Sequence, residues 1–219
     1  MGPRFLYLHG FASSPASRKA VAMAAHFSSR GAKLELLDLR VPSMEHLRLS
    51  EIIRVTAAAI GDSRERAVLI GSSLGGLAAA RLAEVDSRVA ALVLLAPAFQ
   101  LARRWSRRLG PEELARWRAE GFRTVVDYKT GGEARVDFGF LDDLAAADAA
   151  NDGWPDVRVP VLIVHGSGDD TVEIETSRRF AEGKRHVRLV EVDDGHELAA
   201  SLGRIAAEAD DFLVPFLGR

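Results

Sequence analysis

Short apolar segments alternate with longer amphipathic segments along most of the chain. The predicted strands are Arg4–Leu8, Lys33–Leu39, Arg66–Ile70, Arg88–Leu95, Val159–Val164 and His186–Val192. The predicted helices are Ser17–Arg30, Pro42–Ile60, Leu77–Ala83, Thr176–Glu182 and Glu197–Leu217. Strands that alternate with helices predict an α/β fold, with a mostly parallel sheet of about six strands and helices on both faces.

The alternation breaks between the fourth and fifth predicted strands. The elements predicted there are helices at Pro111–Glu120 and Leu141–Ala150, and a hairpin of Thr124–Tyr128 with Ala134–Phe138. We therefore expect one domain over residues 1–219 with a short lid-like insertion at about residues 100–155. This insertion is expected above the carboxyl edge of the sheet, where open α/β sheets bind ligands.

The third predicted strand leads into a Gly-x-Ser-x-Gly motif, Gly71-Ser72-Ser73-Leu74-Gly75. In this motif the central serine occupies a strained turn, and a β-carbon on either glycine would collide with the neighbouring strand and helix. The hydroxyl then lies at a helix N-terminus, where partial positive charge favours a developing oxyanion. Ser73 is therefore the candidate nucleophile, and Ser72 is expected to point away from the site.

A serine nucleophile needs a base, usually histidine, and the histidine needs a carboxylate that fixes its tautomer. In folds with this motif the chain order is serine, acid, histidine. His196 follows the last predicted strand and is the candidate base, whereas His165 and His186, at strand ends, are expected to support the structure or the site. Asp169 and Asp170 compete for the role of the acid. We favour Asp169 and expect Asp170 to cap a helix or to be solvated.

Acyl transfer also needs two backbone N–H groups directed at the oxyanion. One is expected from Leu74, the residue after the nucleophile, and the other from Phe11, in the loop after the first strand. Gly10 allows close approach of the backbone at this loop. His9 either shapes the loop or takes a direct part in catalysis.

Aromatic and basic side chains are concentrated on or near the insertion. The aromatic residues either line an acyl pocket or form a small core of the insertion, and they are Phe99, Trp105, Trp117, Phe138 and Phe140. The candidate substrate-binding residues are Gly10, Phe99, Trp105, Phe138 and Phe140. The arginine run either attracts an anionic substrate or forms a solvated helix face, and its members are Arg103, Arg104, Arg107 and Arg108.

The composition limits the binding partners, the metal and disulfide sites and the cellular location that we expect. The formal net charge of −2 gives no indication of binding to nucleic acid or to an anionic membrane surface. The chain has no cysteine, so neither a disulfide nor a thiolate metal site can form. No apolar stretch reaches the ~18–20 residues of a membrane helix. The first residues lead directly into a strand, so we expect no signal peptide and a cytoplasmic protein.

The elbow Ile70–Gly76 and the loop Tyr7–Phe11 with Ser13-Ser14-Pro15 resemble those of the small YqiA-type bacterial esterases, within the α/β-hydrolase superfamily. The Ser-Ser-Leu-Gly-Gly elbow and the run His165–Val172 are also similar to the mitochondrial α/β-hydrolase-domain proteins that act as acyl-protein thioesterases and acyl-glucuronide esterases. The resemblance extends over essentially the whole chain and implies an α/β-hydrolase fold that hydrolyses carboxylic esters or thioesters. In such families the first aspartate after His-Gly-x-x is often the triad acid, which supports Asp169.

These observations predict a serine hydrolase that cleaves small-molecule esters or thioesters through Ser73, His196, Asp169 and an acyl-enzyme. This chemistry requires no metal and no organic cofactor. Two alternatives stay open: a dienelactone-type or C–C bond hydrolase on the same triad, and a non-catalytic member of the fold that binds a ligand. A haloalkane or epoxide hydrolase is disfavoured, because those enzymes place a carboxylate at the elbow.

Overall fold

The computed structural model describes residues 2–62, 64–149 and 151–217. Within these ranges it contains a six-stranded sheet whose neighbouring strands are all parallel. In spatial order the strands are β2 (Leu34–Leu37), β1 (Arg4–Leu8), β3 (Ala67–Ser72), β4 (Val89–Leu95), β7 (Val161–Gly166) and β8 (Val187–Val192). The predicted α/β architecture and its six sheet strands are confirmed.

The two faces of the sheet carry separate apolar cores, because successive side chains of a strand point to opposite faces. In β1, Leu6 and Leu8 contribute to one core and Phe5 and Tyr7 to the other. The helices on the first face are α2 (Leu49–Ile60), α3 (Leu74–Val85) and α6 (Glu175–Ala181), and those on the second are α1 (Arg18–Ser29) and α7 (Leu202–Leu213). The central strands β3 and β4 are buried along their whole length, as expected for strands covered on both faces.

The insertion between β4 and β7 packs onto the first core. Its elements are α4 (Leu101–Glu120), β5 (Phe122–Asp127), β6 (Gly132–Asp137), α5 (Gly139–Ala147) and a short 3-10 helix at Asn151–Gly153. The strands β5 and β6 form the predicted antiparallel hairpin. Trp117, Phe140 and Leu144 of the insertion are buried in the same core as the sheet. Both guanidinium Nη atoms of Arg40 donate to the Asp127 carboxylate at 2.9 Å, which ties the hairpin to the loop after β2.

Two of the helices that pack on the sheet begin later than predicted, so those predicted starts are wrong. The helix expected from Pro42 begins at Leu49, because the preceding loop turns toward the insertion, where His46 and Arg48 both bind the Asp137 carboxylate. The helix expected from Glu197 begins at Leu202.

Within the insertion, α4 consists of two helical segments that Gly110 separates with a non-helical backbone at φ 75° and ψ 170°. The second segment corresponds to the predicted helix Pro111–Glu120, whereas the first, which begins at Leu101, was not predicted. The predicted helix Leu141–Ala150 is observed at Gly139–Ala147, and its expected last residue, Ala150, lies outside the described residues, as do Met1, Gly218 and Arg219 of the expected domain. Within the described ranges, no helix has both the length and the apolarity that crossing a membrane requires.

Candidate active site

Ser73 occupies a strained turn between β3 and α3. Its backbone has φ 53° and ψ −114°, a conformation that residues other than glycine seldom adopt. Its N–H donates to the Leu95 carbonyl at 2.9 Å, and its own carbonyl accepts the N–H groups of Leu77 at 3.1 Å and Ala98 at 3.0 Å. The surrounding backbone therefore holds the strained serine at the first turn of α3.

The glycines beside Ser73 allow three elements to approach closely. A β-carbon on Gly71 would lie 2.5 Å from the Gly75 carbonyl oxygen, and one on Gly75 would overlap the carbonyl of Leu8 at the end of β1. Since no side chain fits at either position, β1, β3 and α3 meet around Ser73 only because both residues are glycine. This is the reason for the motif that the sequence displays.

His196 bridges Ser73 and Asp169. Its Nε2 atom is 3.1 Å from Oγ of Ser73, and its Nδ1 atom is 2.7 Å from Oδ2 of Asp169. An ionised carboxylate only accepts hydrogen bonds, so Nδ1 carries the proton and Nε2 is free to accept the serine hydroxyl proton. The fold thus brings together the three side chains that the sequence analysis singled out, from loops after β3, β7 and β8.

The Asp169 side chain is completely buried. Its Oδ1 atom accepts the N–H groups of Thr171 at 2.9 Å and Val172 at 2.8 Å. Burial by itself raises the pKa of the Asp169 carboxyl, but hydrogen bonds from His165, His196 and the Val172 N–H outweigh burial and hold that pKa well below its usual value. The neighbouring Asp170 is exposed and accepts the Thr171 hydroxyl at 3.2 Å.

Asp194 and Lys19 hold the loop that carries His196, and the sequence analysis missed both roles. Asp194 accepts the N–H of Gly195 at 2.8 Å and those of Ala200 and Ser201 at 2.9 Å. These bonds keep residues 197–201 out of α7. An aspartate followed by glycine is a turn signal that makes the first role recognisable.

Lys19 comes from α1, far away in sequence, and gave no such signal. Its ammonium Nζ donates to the carbonyl oxygen of His196 at 3.4 Å. Burial lowers the pKa of Lys19, and the carboxylates of Glu197, Asp169 and Asp194 oppose this effect. A buried ammonium group therefore binds the backbone of the residue that carries the proposed base.

His9 shapes the loop after β1. Its Nδ1 atom is 2.9 Å from the Gly10 carbonyl oxygen, and its Nε2 atom accepts the Leu39 N–H at 3.0 Å. The ring is therefore the neutral tautomer with the proton on Nδ1, and burial lowers the pKa of His9 accordingly. Of the two roles predicted for His9, the observed contacts correspond to shaping the loop.

Two backbone N–H groups near Ser73 are available to an oxyanion. The peptide between Gly10 and Phe11 is planar, so fixing the Gly10 carbonyl also directs the Phe11 N–H away from it. Among the described residues this N–H has no acceptor, and Leu74, as the first residue of α3, has no intrahelical acceptor. The loop and the elbow are in contact, since a β-carbon on Gly10 would lie 3.4 Å from Cβ of Ser73.

A cleft of about 1370 Å³ opens beside Ser73 and His196, and Gly10 and Trp105 are among its lining residues. The other three candidate substrate-binding residues, Phe99, Phe138 and Phe140, do not line it, and their expected contact with substrate is corrected here. Their aromatic rings pack into the core or against other aromatic rings, where burial of large apolar area outweighs exposure to the cleft.

These three aromatic rings pack against other aromatic rings and not into the cleft. Phe99 is fully buried and stacks on Phe180 with 4.3 Å between ring centroids. Phe140 is fully buried and stacks on Phe11 at 5.3 Å. Phe138 packs edge-on against Trp117 at 5.1 Å. Of the two alternatives for the aromatic residues, Phe140, Phe138 and Trp117 thus form a core with the sheet rather than an acyl pocket.

The arginine run of α4 divides into two pairs. Arg103 binds Asp152 at 2.5 Å, and Arg104 binds Glu173 at 2.9 Å. Arg107 and Arg108 are exposed, line the cleft, and form no ion pair with any described residue. Only the second pair is therefore free to meet a charged ligand.

A parallel six-stranded sheet with a strained serine at the end of its third strand in the chain, followed by an acid and a histidine after later strands, defines an α/β-hydrolase fold. The chain belongs to the uncharacterised protein family UPF0227, whose model matches residues 4–208. This match confirms the resemblance to YqiA-type proteins. No curated protein matches the chain significantly in sequence.

Solved structures with the same fold are similar over nearly the whole chain. Mouse α/β-hydrolase domain-containing protein 10 is 22% identical, with a TM-score of 0.80 over 97% of this chain and 91% of that one. Est1E from Butyrivibrio proteoclasticus, with ferulic acid bound, is 21% identical, with a TM-score of 0.78 over 99% and 90%. The esterase domain of a Rhodothermus marinus protein is 18% identical, with a TM-score of 0.68 over 100% and 90%.

Proposed function

We propose that this chain is a serine hydrolase that cleaves carboxylic esters or thioesters through a covalent acyl-enzyme. The observation that carries the proposal is the position of the His196 ring, 3.1 Å from the Ser73 hydroxyl and 2.7 Å from the Asp169 carboxylate. A base between a nucleophile and an orienting acid is the arrangement that activates serine. One of the proteins with a similar structure, the domain from Rhodothermus marinus, is an esterase domain, which agrees with the proposal.

In the acylation step, Oγ of Ser73 attacks the carbonyl carbon of the substrate while Nε2 of His196 accepts the hydroxyl proton. The positive charge that develops on His196 is stabilised by the buried Asp169 carboxylate, whose lowered pKa keeps it ionised. His196 then gives the proton to the leaving alcohol or thiol. In deacylation, His196 activates a water molecule that releases the acyl group and regenerates Ser73.

The negative charge on the carbonyl oxygen is assigned to the N–H groups of Leu74 and Phe11. Leu74 opens α3, so the partial positive charge of that helix end adds to its N–H. His9 fixes the Gly10–Phe11 peptide and so directs the second donor. Both donors are preorganised, which is the condition under which such groups contribute most to the rate.

The walls of the cleft suggest how the substrate lies. Trp105, Leu109 and Val125 provide apolar surface, and Arg107 and Arg108, which form no ion pair with a described residue, also line the cleft. This combination favours an apolar acyl group together with a negatively charged substituent on the substrate. We also propose that the chain acts as one domain with residues 100–155 as its lid-like insertion, because the insertion shares its buried core with the sheet.

The test uses purified protein and p-nitrophenyl esters of short and medium acyl chains, with matched thioesters and with one ester pair that differs only by a terminal carboxylate. Ser73→Ala is expected to lower kcat by about 10³-fold or more. Ser72→Ala is the matched control and should keep most of the activity. A fluorophosphonate probe should label wild type and not Ser73→Ala. Hydrolysis that persists unchanged in Ser73→Ala, or absence of labelling in wild type, would refute the proposal.

A further inference from the structure

A second serine–histidine pair contacts Asp169. His165 lies in β7 and is fully buried. Its Nε2 atom is 3.1 Å from Oδ2 of Asp169 and 2.8 Å from the carbonyl oxygen of Val172, and its Nδ1 atom is 2.7 Å from Oγ of Ser177 in α6. The same carboxylate oxygen therefore contacts two imidazole rings, those of His165 and His196.

The partners of His165 determine where its proton lies. A carbonyl oxygen and an ionised carboxylate both accept, so Nε2 of His165 carries the hydrogen and donates it. In the neutral ring Nδ1 then accepts the Ser177 hydroxyl. The result is one continuous chain of hydrogen bonds that runs through Ser177, His165, Asp169, His196 and Ser73.

We infer that His165 is a positioning residue for the triad acid Asp169, and that Ser177 holds the His165 ring in the tautomer this requires. The inference rests on the proposed serine hydrolase function. It adds to that function two buried side chains that touch neither the substrate nor the nucleophile.

The need for such a pair follows from the burial of Asp169. With its side chain fully buried, hydrogen bonds from the protein must satisfy both carboxylate oxygens. Two backbone N–H groups hold Oδ1, and the two histidines hold Oδ2. Among the described residues, removal of the His165 donor leaves Oδ2 with one partner and the Val172 carbonyl with none. The carboxylate is then less firmly oriented and its charged form is less stable.

Two other charged groups among the described residues act on His165 and Asp169. The ammonium of Lys19, from α1, faces Asp169, and the carboxylate of Glu191, from β8, interacts with His165. Glu191 is itself paired with Arg178 of α6. Substitutions at His165 leave these groups in place, so a change in the pH profile of such a variant reports on the contact between His165 and Asp169.

The experiment compares His165→Leu, His165→Gln and Ser177→Ala with wild type on the best ester of the panel. In His165→Leu, kcat is expected to fall about 10- to 100-fold, the loss that follows removal of a hydrogen bond to a charged group. The acid limb of kcat/KM should move to higher pH, because Asp169 without its second donor binds the proton on His196 more tightly. The glutamine amide keeps a donor near Nε2, so His165→Gln should recover most of kcat, and Ser177→Ala should lose only a few-fold.

The matched controls are His186→Leu and His186→Gln. His186 immediately precedes β8 and also directs Nε2 to a backbone carbonyl, that of Val157 at 2.8 Å. Within the described part of the chain it has no hydrogen bond to the triad. These variants should lower the thermal stability without moving the pH profile. The inference is overturned if His165→Leu shifts neither kcat nor the acid limb, if His165→Gln recovers nothing, or if His186→Leu reproduces the shift.

Nitrogen-15 NMR of resting wild-type protein gives a readout without turnover. A proton on Nε2 of His165 and none on Nδ1 is expected, and a neutral ring with its proton on Nδ1 would contradict the inference. If His165→Leu does not fold, this spectrum together with His165→Gln and Ser177→Ala still decides the question. Failure of the proposed function itself is distinguishable, because wild type would then neither hydrolyse esters nor react with the fluorophosphonate probe.

Discussion

The Oδ2 atom of Asp169 lies 2.7 Å from Nδ1 of His196, although the two residues come from loops after different strands. The contact is possible because β7 and β8 are parallel neighbours, so that both strands end at the same edge of the sheet. Gly166 brings the two loops together, since a β-carbon there would overlap the backbone carbonyl of Asp194. The Gly168 N–H also donates to that carbonyl at 3.0 Å.

This contact predicts that the two adjacent aspartates differ in their effect on activity. Asp169→Asn should lower kcat by about 10⁴-fold, because an amide no longer selects the His196 tautomer that accepts the serine proton. Asp170→Asn, with an exposed carboxylate that binds only the Thr171 hydroxyl, should stay within a few-fold of wild type. Steady-state kinetics on the same ester measure both. Equal losses in the two variants would contradict the assignment of the acid.

The lowered pKa of Asp169 makes a prediction about pH. The carboxylate stays ionised well below neutral pH. The acid limb of the rate should therefore follow the slope of a single ionisation, that of a base that must be neutral to accept the serine proton. A flat profile, or one with a slope of two, would count against this arrangement.

The same shift predicts how stability depends on pH. The folded pKa of Asp169 is depressed, so its contribution to the free energy of unfolding is present above the unfolded value of about 3.9 and is lost as pH falls through the folded pKa. Denaturant unfolding at a series of pH values below about 5 should show a steeper loss for wild type than for Asp169→Asn. Identical slopes would mean that the Asp169 carboxyl gains no stabilisation in the fold.

His9 is predicted to act through the direction of the Phe11 N–H. His9→Leu removes the bond to the Gly10 carbonyl and should lower kcat by about 10²-fold, comparable to the loss of an oxyanion donor. His9→Asn keeps a donor near Nδ1 and should recover part of the activity. Because the Leu39 N–H also loses its acceptor, thermal unfolding must show that each variant is folded. Wild-type kcat in a folded His9→Leu would contradict this role.

Gly75 and Gly203 are predicted to respond to alanine in opposite ways. In Gly75→Ala the new β-carbon overlaps the Leu8 carbonyl, so we expect a loss of about 4 kcal/mol or more, or no soluble protein. In Gly203→Ala no atom of the described residues lies within 4 Å of the new β-carbon in α7, and alanine should stabilise the helix by about 0.5–1 kcal/mol. Thermal unfolding monitored by circular dichroism distinguishes the two. A fully stable Gly75→Ala would show that β1 and α3 can move apart.

Local sequence was sufficient to predict the strands of the sheet and the residues now proposed as the triad. A fully buried strand is apolar along its whole length, as in β4, and a turn as strained as that at Ser73 requires glycines at fixed positions beside it. These constraints act within a few residues, so they are visible in a single sequence. The order of serine, acid and histidine along the chain then follows from strands that end at one edge.

Features that depend on distant partners could not be predicted in this way. The start of α2 is set by binding of His46 and Arg48 to Asp137, and the start of α7 is set by the bonds of Asp194. At α2, contacts over 89 and 91 positions of the chain override helix propensity, and at α7 side-chain bonds over six and seven positions do so. Helix propensity amounts to only a few tenths of a kcal/mol per residue.

The sequence by itself determined the α/β class, the strained serine and the loops that carry the proposed acid and base, because the hydrophobic period of a strand and the steric need for glycine at a turn are local properties. Only the tertiary structure decided which aromatic rings face the cleft and which are buried behind it, as in Trp105 and Phe99. It also decided that His165 contacts Asp169 and that Ser177 contacts His165. Side-chain direction at such positions depends on packing between elements far apart in the chain, and a linear pattern does not encode that packing.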